Sequence, residues 1–132
     1  MSREKSLSSI ECDQFIARPP PAVWRALTEP DLLAARWAAG DIKPIVGHRF
    51  TLDMGSWGHQ PCEILEVEPE KMLRYTFAEG SLDTTITWRL EAEGTGTRLF
   101  LVHDGFEPDS AAWHGMGNGF PTLIRRIERA LT

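Results

Sequence analysis

The sequence predicts an α+β protein in which a curved antiparallel sheet of six strands is covered by a long C-terminal helix. Apolar residues recur at every second position in segments between residues 8 and 104, which is the period of half-buried strands. The later segments are joined by short connections rich in turn residues, typical of an antiparallel meander. A stripe of apolar residues at helical spacing, from 110 to 131, is long enough to cover one face of the sheet.

The first third of the chain predicts one strand followed by two short helices. Ser8–Ala17 reads as the strand, and the prolines at 19–21 stop it. The last of these prolines suits the first position of a helix, predicted over Pro21–Thr28. A second helix is predicted over Pro30–Ala38, and Gly40 is expected to end it in a left-handed conformation. Two tandem helices after one strand make a distinctive order.

The middle of the chain predicts five more strands and then the long helix. On the segment around Trp88, Ile86 and Leu90 alternate with Thr87 and Arg89, as in a sheet with one covered and one solvated face. The complete predicted order is therefore β-α-α-β-β-β-β-β-α. The five strands and the helix span His48–Met54, Cys62–Glu68, Met72–Ala78, Leu82–Glu91, Thr97–Asp104 and Ser110–Leu131.

Composition limits the classes of function. The chain has 132 residues, 42% of them hydrophobic, so we expect a single domain over residues 1–132 with its own core. Its net charge is −5 without any basic run, which argues against nucleic acid or anionic membranes as partners. No apolar segment is long enough to span a bilayer or to serve as a signal peptide, so a cytoplasmic location is expected.

Motifs of metal, nucleotide and nucleophilic chemistry are missing from the sequence. The four histidines and two cysteines show no HxxxH or CxxC spacing, and no GxSxG segment occurs. We therefore expect no metal, no cofactor and no catalytic residue. Cys12 and Cys62 are far apart in sequence and are expected to be free buried thiols.

A set of short motifs gives the chain a family resemblance across nearly its whole length. It is similar to the SRPBCC superfamily, also called START-like or birch-pollen-allergen-like, and within it to the heat-shock protein 90 ATPase activator homologue group. Two departures concern the shape of a cavity: Phe120 follows Gly119 where many members have tryptophan, and Val46 precedes Gly47 where many have a glycine pair. The motifs are Ala17-Arg18-Pro19, the run from Val23 to Pro30, Arg36-Trp37, the run from Gly47 to Phe50, the turn from Glu66 to Pro69, Thr97-Arg98-Leu99 and the run from His103 to Phe106.

The resemblance implies a helix-grip fold, in which the sheet wraps the C-terminal helix and encloses a cavity for apolar small molecules. On this basis we expect non-enzymatic binding of a small hydrophobic or amphipathic ligand. Tyr75 and His103 are inward-facing polar residues, although a structural role is favoured for each. The residues expected to line the cavity are Trp37, Phe50, Leu52, Met54, Trp57, Tyr75, Phe77, Trp88, His103, Trp113, Met116 and Phe120.

Two alternatives stay open at this point. The resemblance also implies a module that binds a chaperone, although the additional N-terminal domain of the eukaryotic chaperone activators has no counterpart here. A third reading is a cyclase, dehydratase or hydrolase that uses Tyr75 or His103 in the same cavity. A homodimer is compatible with a domain of this size.

Overall fold

The structure is a computed structural model that describes residues 8–32, 39–55, 58–80 and 82–106. Within these ranges the chain forms a six-stranded curved antiparallel sheet, with a helix between its first and second strands, as predicted. The predicted C-terminal helix lies outside the described residues. The elements are β1 (Ser8–Ile16), α1 (Pro20–Thr28), β2 (Arg49–Asp53), β3 (His59–Glu68), β4 (Met72–Phe77), β5 (Thr84–Glu93) and β6 (Gly96–Phe106).

The strand order across the sheet is β1-β6-β5-β4-β3-β2. Strands β2 to β6 follow one another as a meander, and β1 pairs with the last of them, so β1 and β2 form the two edges. Every pairing is antiparallel. The tight connections of the sequence thus produce the predicted meander, and β1 adds the sixth strand.

Helix α1 packs its apolar side against the sheet. Val23, Ala26 and Leu27 are buried and the helix contacts β5 and β6. The Thr28 hydroxyl donates a hydrogen bond to the carbonyl oxygen of Trp24 at 2.9 Å, and Glu29 then turns to an extended conformation. Residues 30–32 are helical again, where the second helix is predicted, and the rest of that helix lies outside the described residues.

Two strands begin two or more residues away from their predicted starts, for identifiable reasons. β3 starts three residues early and runs through Pro61, whose carbonyl oxygen accepts the amide of Ala78 at 3.0 Å while Thr51 lies opposite it. β5 starts two residues late, because the amides of Leu82 and Asp83 bond to the carbonyl oxygen of Ala78 at 2.9 and 3.0 Å. Residues 82 and 83 are therefore part of the turn.

Gly40 corrects the sequence interpretation. It is not among the described glycines with positive φ, so the predicted left-handed helix end is wrong. It forms instead an isolated bridge to Leu52 on β2. A Cβ atom at this position would lie 2.5 Å from the carbonyl oxygen of Thr51, so the glycine permits close contact between two backbones.

The two faces of the sheet differ sharply in chemistry. We call the face that carries the buried residues of each strand the inner face, and the opposite side the outer face. The outer face carries exposed ion pairs, among them Arg98 with Asp13 at 3.0 Å, and solvent screening makes such pairs weak contributors to stability. The buried inner-face residues are Ile10, Ile16, Phe50, Leu52, Gln60, Cys62, Ile64, Leu73, Tyr75, Phe77, Thr84, Ile86, Trp88, Leu90, Thr97, Leu99, Leu101 and His103.

Candidate ligand-binding site

Tyr75 and His103 lie in one row across the centre of the inner face. Strand pairing sets Tyr75 on β4 opposite Ile86 on β5, and Ile86 opposite His103 on β6. Neighbouring strands are about 4.8 Å apart, so the backbones of Tyr75 and His103 are separated by about 10 Å. The register therefore brings the two predicted inward-facing polar residues to either side of one apolar residue.

Tyr75 forms a hydrogen-bonded pair with Trp88. The indole Nε1 of Trp88 donates to the phenolic oxygen of Tyr75 at 3.0 Å, and each side chain is only 1% exposed. The contact is diagonal, because Leu73 is the residue directly opposite Trp88. Phe50 packs its ring edgewise on Tyr75, with centroids 5.4 Å apart. Both polar atoms thus have a partner inside an aromatic cluster.

His103 forms the second polar pair, with Thr84. Its Nε2 lies 2.7 Å from the Thr84 hydroxyl oxygen, and that hydroxyl donates to the carbonyl oxygen of Phe77 at 3.2 Å. The hydroxyl and the imidazole thus share one short hydrogen bond, in which the tautomer of His103 decides which group donates. The rings of Phe77 and Phe106 pack on the imidazole with centroids 5.4 and 4.5 Å away.

Burial keeps His103 neutral. The side chain has no exposed surface, and desolvation of its charged form lowers the pKa from 6.5 to about 3. The imidazole is therefore uncharged at neutral pH and is a weak base. Thr84 is a site residue that the sequence interpretation missed, although its position two residues before Ile86 places it on the same face.

Seven of the predicted site residues are described, and all lie on the inner-face side of their strands. Leu52, Tyr75, Phe77, Trp88 and His103 are at most 1% exposed, whereas Phe50 is 6% exposed and Met54 is half-buried. The inner face is thus closely packed at its centre, and Met54, which follows β2, keeps the most exposed surface of these seven residues. The other predicted site residues, Trp37, Trp57, Trp113, Met116 and Phe120, lie outside the described residues.

A groove of about 810 Å³ is found elsewhere, beside the turn between β3 and β4. Met72, Arg74 and Arg89 line it from the outer face. Four of its charged groups form ion pairs: Arg74 pairs with Glu66 at 2.9 Å and Arg89 with Glu91 at 2.8 Å. Unlike the described inner face, this groove is lined by charged side chains, and it contains none of the predicted site residues.

Within residues 8–32, 39–55, 58–80 and 82–106, no three His, Cys, Asp or Glu side chains come together as ligands of a metal ion. No helix among the same residues is long and apolar enough to cross a membrane.

Solved structures of similar proteins cover almost the whole chain. Protein MLL2253 from Mesorhizobium loti is 36% identical, with 94% of this chain and 96% of that chain covered and a TM-score of 0.87. CalU16 from Micromonospora echinospora is 26% identical, with coverages of 96% and 77% and a TM-score of 0.80. The Aha1 dimer from Colwellia psychrerythraea, 18% identical with coverages of 94% and 96% and a TM-score of 0.83, shares the fold.

Among curated protein sequences, none matches the chain. A family model does match, over residues 17–132, and its description is Activator of Hsp90 ATPase homolog 1-like protein. The match includes α1 and all of β2 to β6. The chain therefore belongs to the Activator of Hsp90 ATPase homolog 1-like family, which has the SRPBCC-like fold that the sequence motifs predict.

Proposed function

We propose that the protein binds a small hydrophobic or amphipathic molecule on the inner face, between the sheet and the predicted C-terminal helix. The observation that carries the proposal is an aromatic inner face that holds two hydrogen-bonded polar pairs, Trp88 with Tyr75 and His103 with Thr84. Ligand pockets combine mostly apolar walls with a few well-placed polar groups in this way. Membership of a family whose fold typically binds ligands supports it.

The affinity would come from apolar contact. Burial of apolar ligand surface contributes about 25 cal/mol per Å² before the costs of ordering. Among the described lining residues, Phe50 and Met54 retain the most exposed surface, so we place the entrance beside them. Deeper contacts with Tyr75 and Trp88 require packed side chains to part, since both are 1% exposed.

A dye titration with matched methionine variants tests the proposal. The probe is N-phenyl-1-naphthylamine, a neutral dye that fluoresces in apolar surroundings. Met54→Trp fills the entrance, whereas Met72→Trp makes the same change on the outer face, where Met72 is also half-buried. We expect Met54→Trp to weaken dye binding at least about tenfold and Met72→Trp to leave it unchanged.

The proposal is wrong if the wild-type protein binds neither this dye nor other neutral apolar compounds. It is also wrong if the two tryptophan variants weaken binding equally, because the dye would then not distinguish the faces. Melting curves of both variants, recorded by circular dichroism, show whether each is folded.

Binding to a chaperone is a second candidate, favoured by an exposed apolar patch. Ile45, Val46 and Leu65 are 61%, 63% and 38% exposed. The amide of Gly47 donates to the carbonyl oxygen of Ile64 at 2.8 Å, so these apolar residues flank one backbone contact between two segments. Exposed apolar residues that cluster in this way are typical of interaction sites.

The chaperone candidate is tested by the ATPase rate of a chaperone of the Hsp90 class. A rate that rises with the wild-type protein and returns to baseline with Val46→Glu would support it, with Lys43→Glu as the control for added charge in the same loop. An unchanged rate at saturating protein would exclude it.

The enzymatic alternative has less physical support. A general base works best with a pKa near the working pH, and burial lowers the pKa of His103 to about 3. Its Nε2 is also engaged by Thr84 at 2.7 Å. The arrangement therefore favours a structural and ligand-orienting role for this histidine.

A further inference from the structure

We propose that the inner face selects a ligand that is electrically neutral; the inference rests on the proposed ligand-binding function and names the chemical class of that ligand. The chain is rich in charge, with 14 Lys and Arg and 19 Asp and Glu residues. On the described strands, however, every charged side chain occupies an outer-face position or a strand end, and every buried inner-face side chain is uncharged.

The separation of charge follows the strand period. On β5, Arg89 and Glu91 alternate with Trp88 and Leu90, so that neighbouring residues point to opposite faces. On β6, Arg98 is on the outer face, paired with Asp13 and Glu93 at 3.0 and 3.1 Å. Six strands built this way leave the described inner face without a formal charge.

The titratable histidine and cysteines of this face do not supply a charge at neutral pH either. Burial keeps His103 in its neutral form. Desolvation also raises the pKa of the Cys62 thiol to about 12 and that of Cys12 to about 11, so both thiols stay protonated at neutral pH. The remaining buried polar side chains on the described inner face are hydroxyls, an amide and an indole.

A charged ligand would therefore lose its hydration on this face without gaining an ionic partner from the described strands. Burial of an unpaired charge is far more costly than burial of a polar group that forms hydrogen bonds. Groups such as an alcohol, ketone or carboxamide can exchange hydrogen bonds with hydroxyl, amide and imidazole groups. The chemistry of this face matches an uncharged ligand with an apolar body and one such polar group.

Three naphthalene compounds of similar size test the inference. They are 2-naphthamide, which is neutral, 2-naphthoate, which is an anion, and 2-naphthylmethylamine, which is a cation at neutral pH. Each competes with N-phenyl-1-naphthylamine on the wild-type chain. We expect half-displacement by the amide at a concentration at least about tenfold lower than by either ion.

The cation is the more stringent comparison, because the net charge of −5 attracts cations from solution. Equal or better displacement by the carboxylate or by the ammonium compound would overturn the inference while leaving ligand binding intact. If neither the dye nor any other neutral apolar compound binds, the proposed function fails and the inference fails with it. The two failures are therefore distinguishable.

A charge placed at the entrance gives an independent readout. Met54→Lys should shift the preference from naphthamide towards naphthoate at least about fivefold, since it supplies the missing cation. Met72→Lys adds the same charge on the outer face and should leave the ratio unchanged, and Met54→Gln controls for lost packing. An unchanged ratio in Met54→Lys, or equal shifts in both lysine variants, would overturn the inference.

Discussion

Acid should destabilise the protein partly through His103, because this buried imidazole resists protonation in the folded state. Its pKa is lowered from 6.5 to about 3 by burial. The folded-state pKa is thus below the unfolded value, so the unfolded chain binds a proton first as the pH falls. The contribution of this neutral histidine is fully present above about pH 6.5 and is lost progressively down to about pH 3.

The size of the effect follows from the shift. One pKa unit corresponds to about 1.4 kcal/mol, so the loss between about pH 7 and pH 4.5 is about 2.5 kcal/mol. His103→Gln removes the titration and keeps an amide donor facing Thr84. We expect the free energy of unfolding of this variant to fall by about 2.5 kcal/mol less than that of wild type over the same interval.

Urea denaturation at a series of pH values measures this difference. His59→Gln is the matched control for the substitution itself, because His59 lies at the start of β3 with an exposed side chain. Parallel curves for wild type and His103→Gln would refute the reasoning. An NMR titration of the native protein that gives His103 a pKa near 6.5 would refute it as well.

Three further predictions concern packing and reactivity. Gly40→Ala should lower stability by about 1–3 kcal/mol in thermal unfolding, because its Cβ would lie 2.5 Å from the carbonyl oxygen of Thr51; an unchanged melting temperature would contradict that close contact. Trp88→Phe should lower the free energy of unfolding by more than about 1 kcal/mol. A double-mutant cycle with Tyr75→Phe should give a coupling energy of about 1 kcal/mol, whereas additive effects would show that the two side chains share no hydrogen bond. In a Cys12→Ser background, Cys62 should react with a disulfide reagent near pH 8 only as fast as the chain unfolds, since burial raises its pKa to about 12; rapid labelling of the folded protein would contradict its burial.

Much of the fold could be predicted from the sequence because the strand period of two residues and the helical period of about 3.6 residues are clear in it. Alternation on both sides of Trp88 identified β5 and its covered face, and the three prolines at 19–21 separated β1 from α1. Strand limits were harder to predict where a proline or turn residue can either end a strand or lie within one. Pro61 sits within β3 because its carbonyl oxygen still accepts the amide of Ala78, which no local pattern signals.

The candidate site could be predicted as a set of inward-facing residues but not as a set of contacts. Alternation placed Tyr75 and His103 on the covered face. Their partners depend on the register between strands, which sets Trp88 diagonally across from Tyr75 and Thr84 beside His103. Gly40 shows the same limit, since its role comes from a contact with β2, which lies later in the chain, and not from the end of the predicted helix.

The most direct test of the account is a methyl-resolved NMR titration of the protein with N-phenyl-1-naphthylamine. Met54, Ile86 and Leu101 report on the inner face, and Met72 and Val102 on the outer face. The account predicts saturable shifts in the inner-face methyl signals and none in the outer-face signals. Shifts confined to Met72 and Val102, or no shifts at saturating dye, would contradict it.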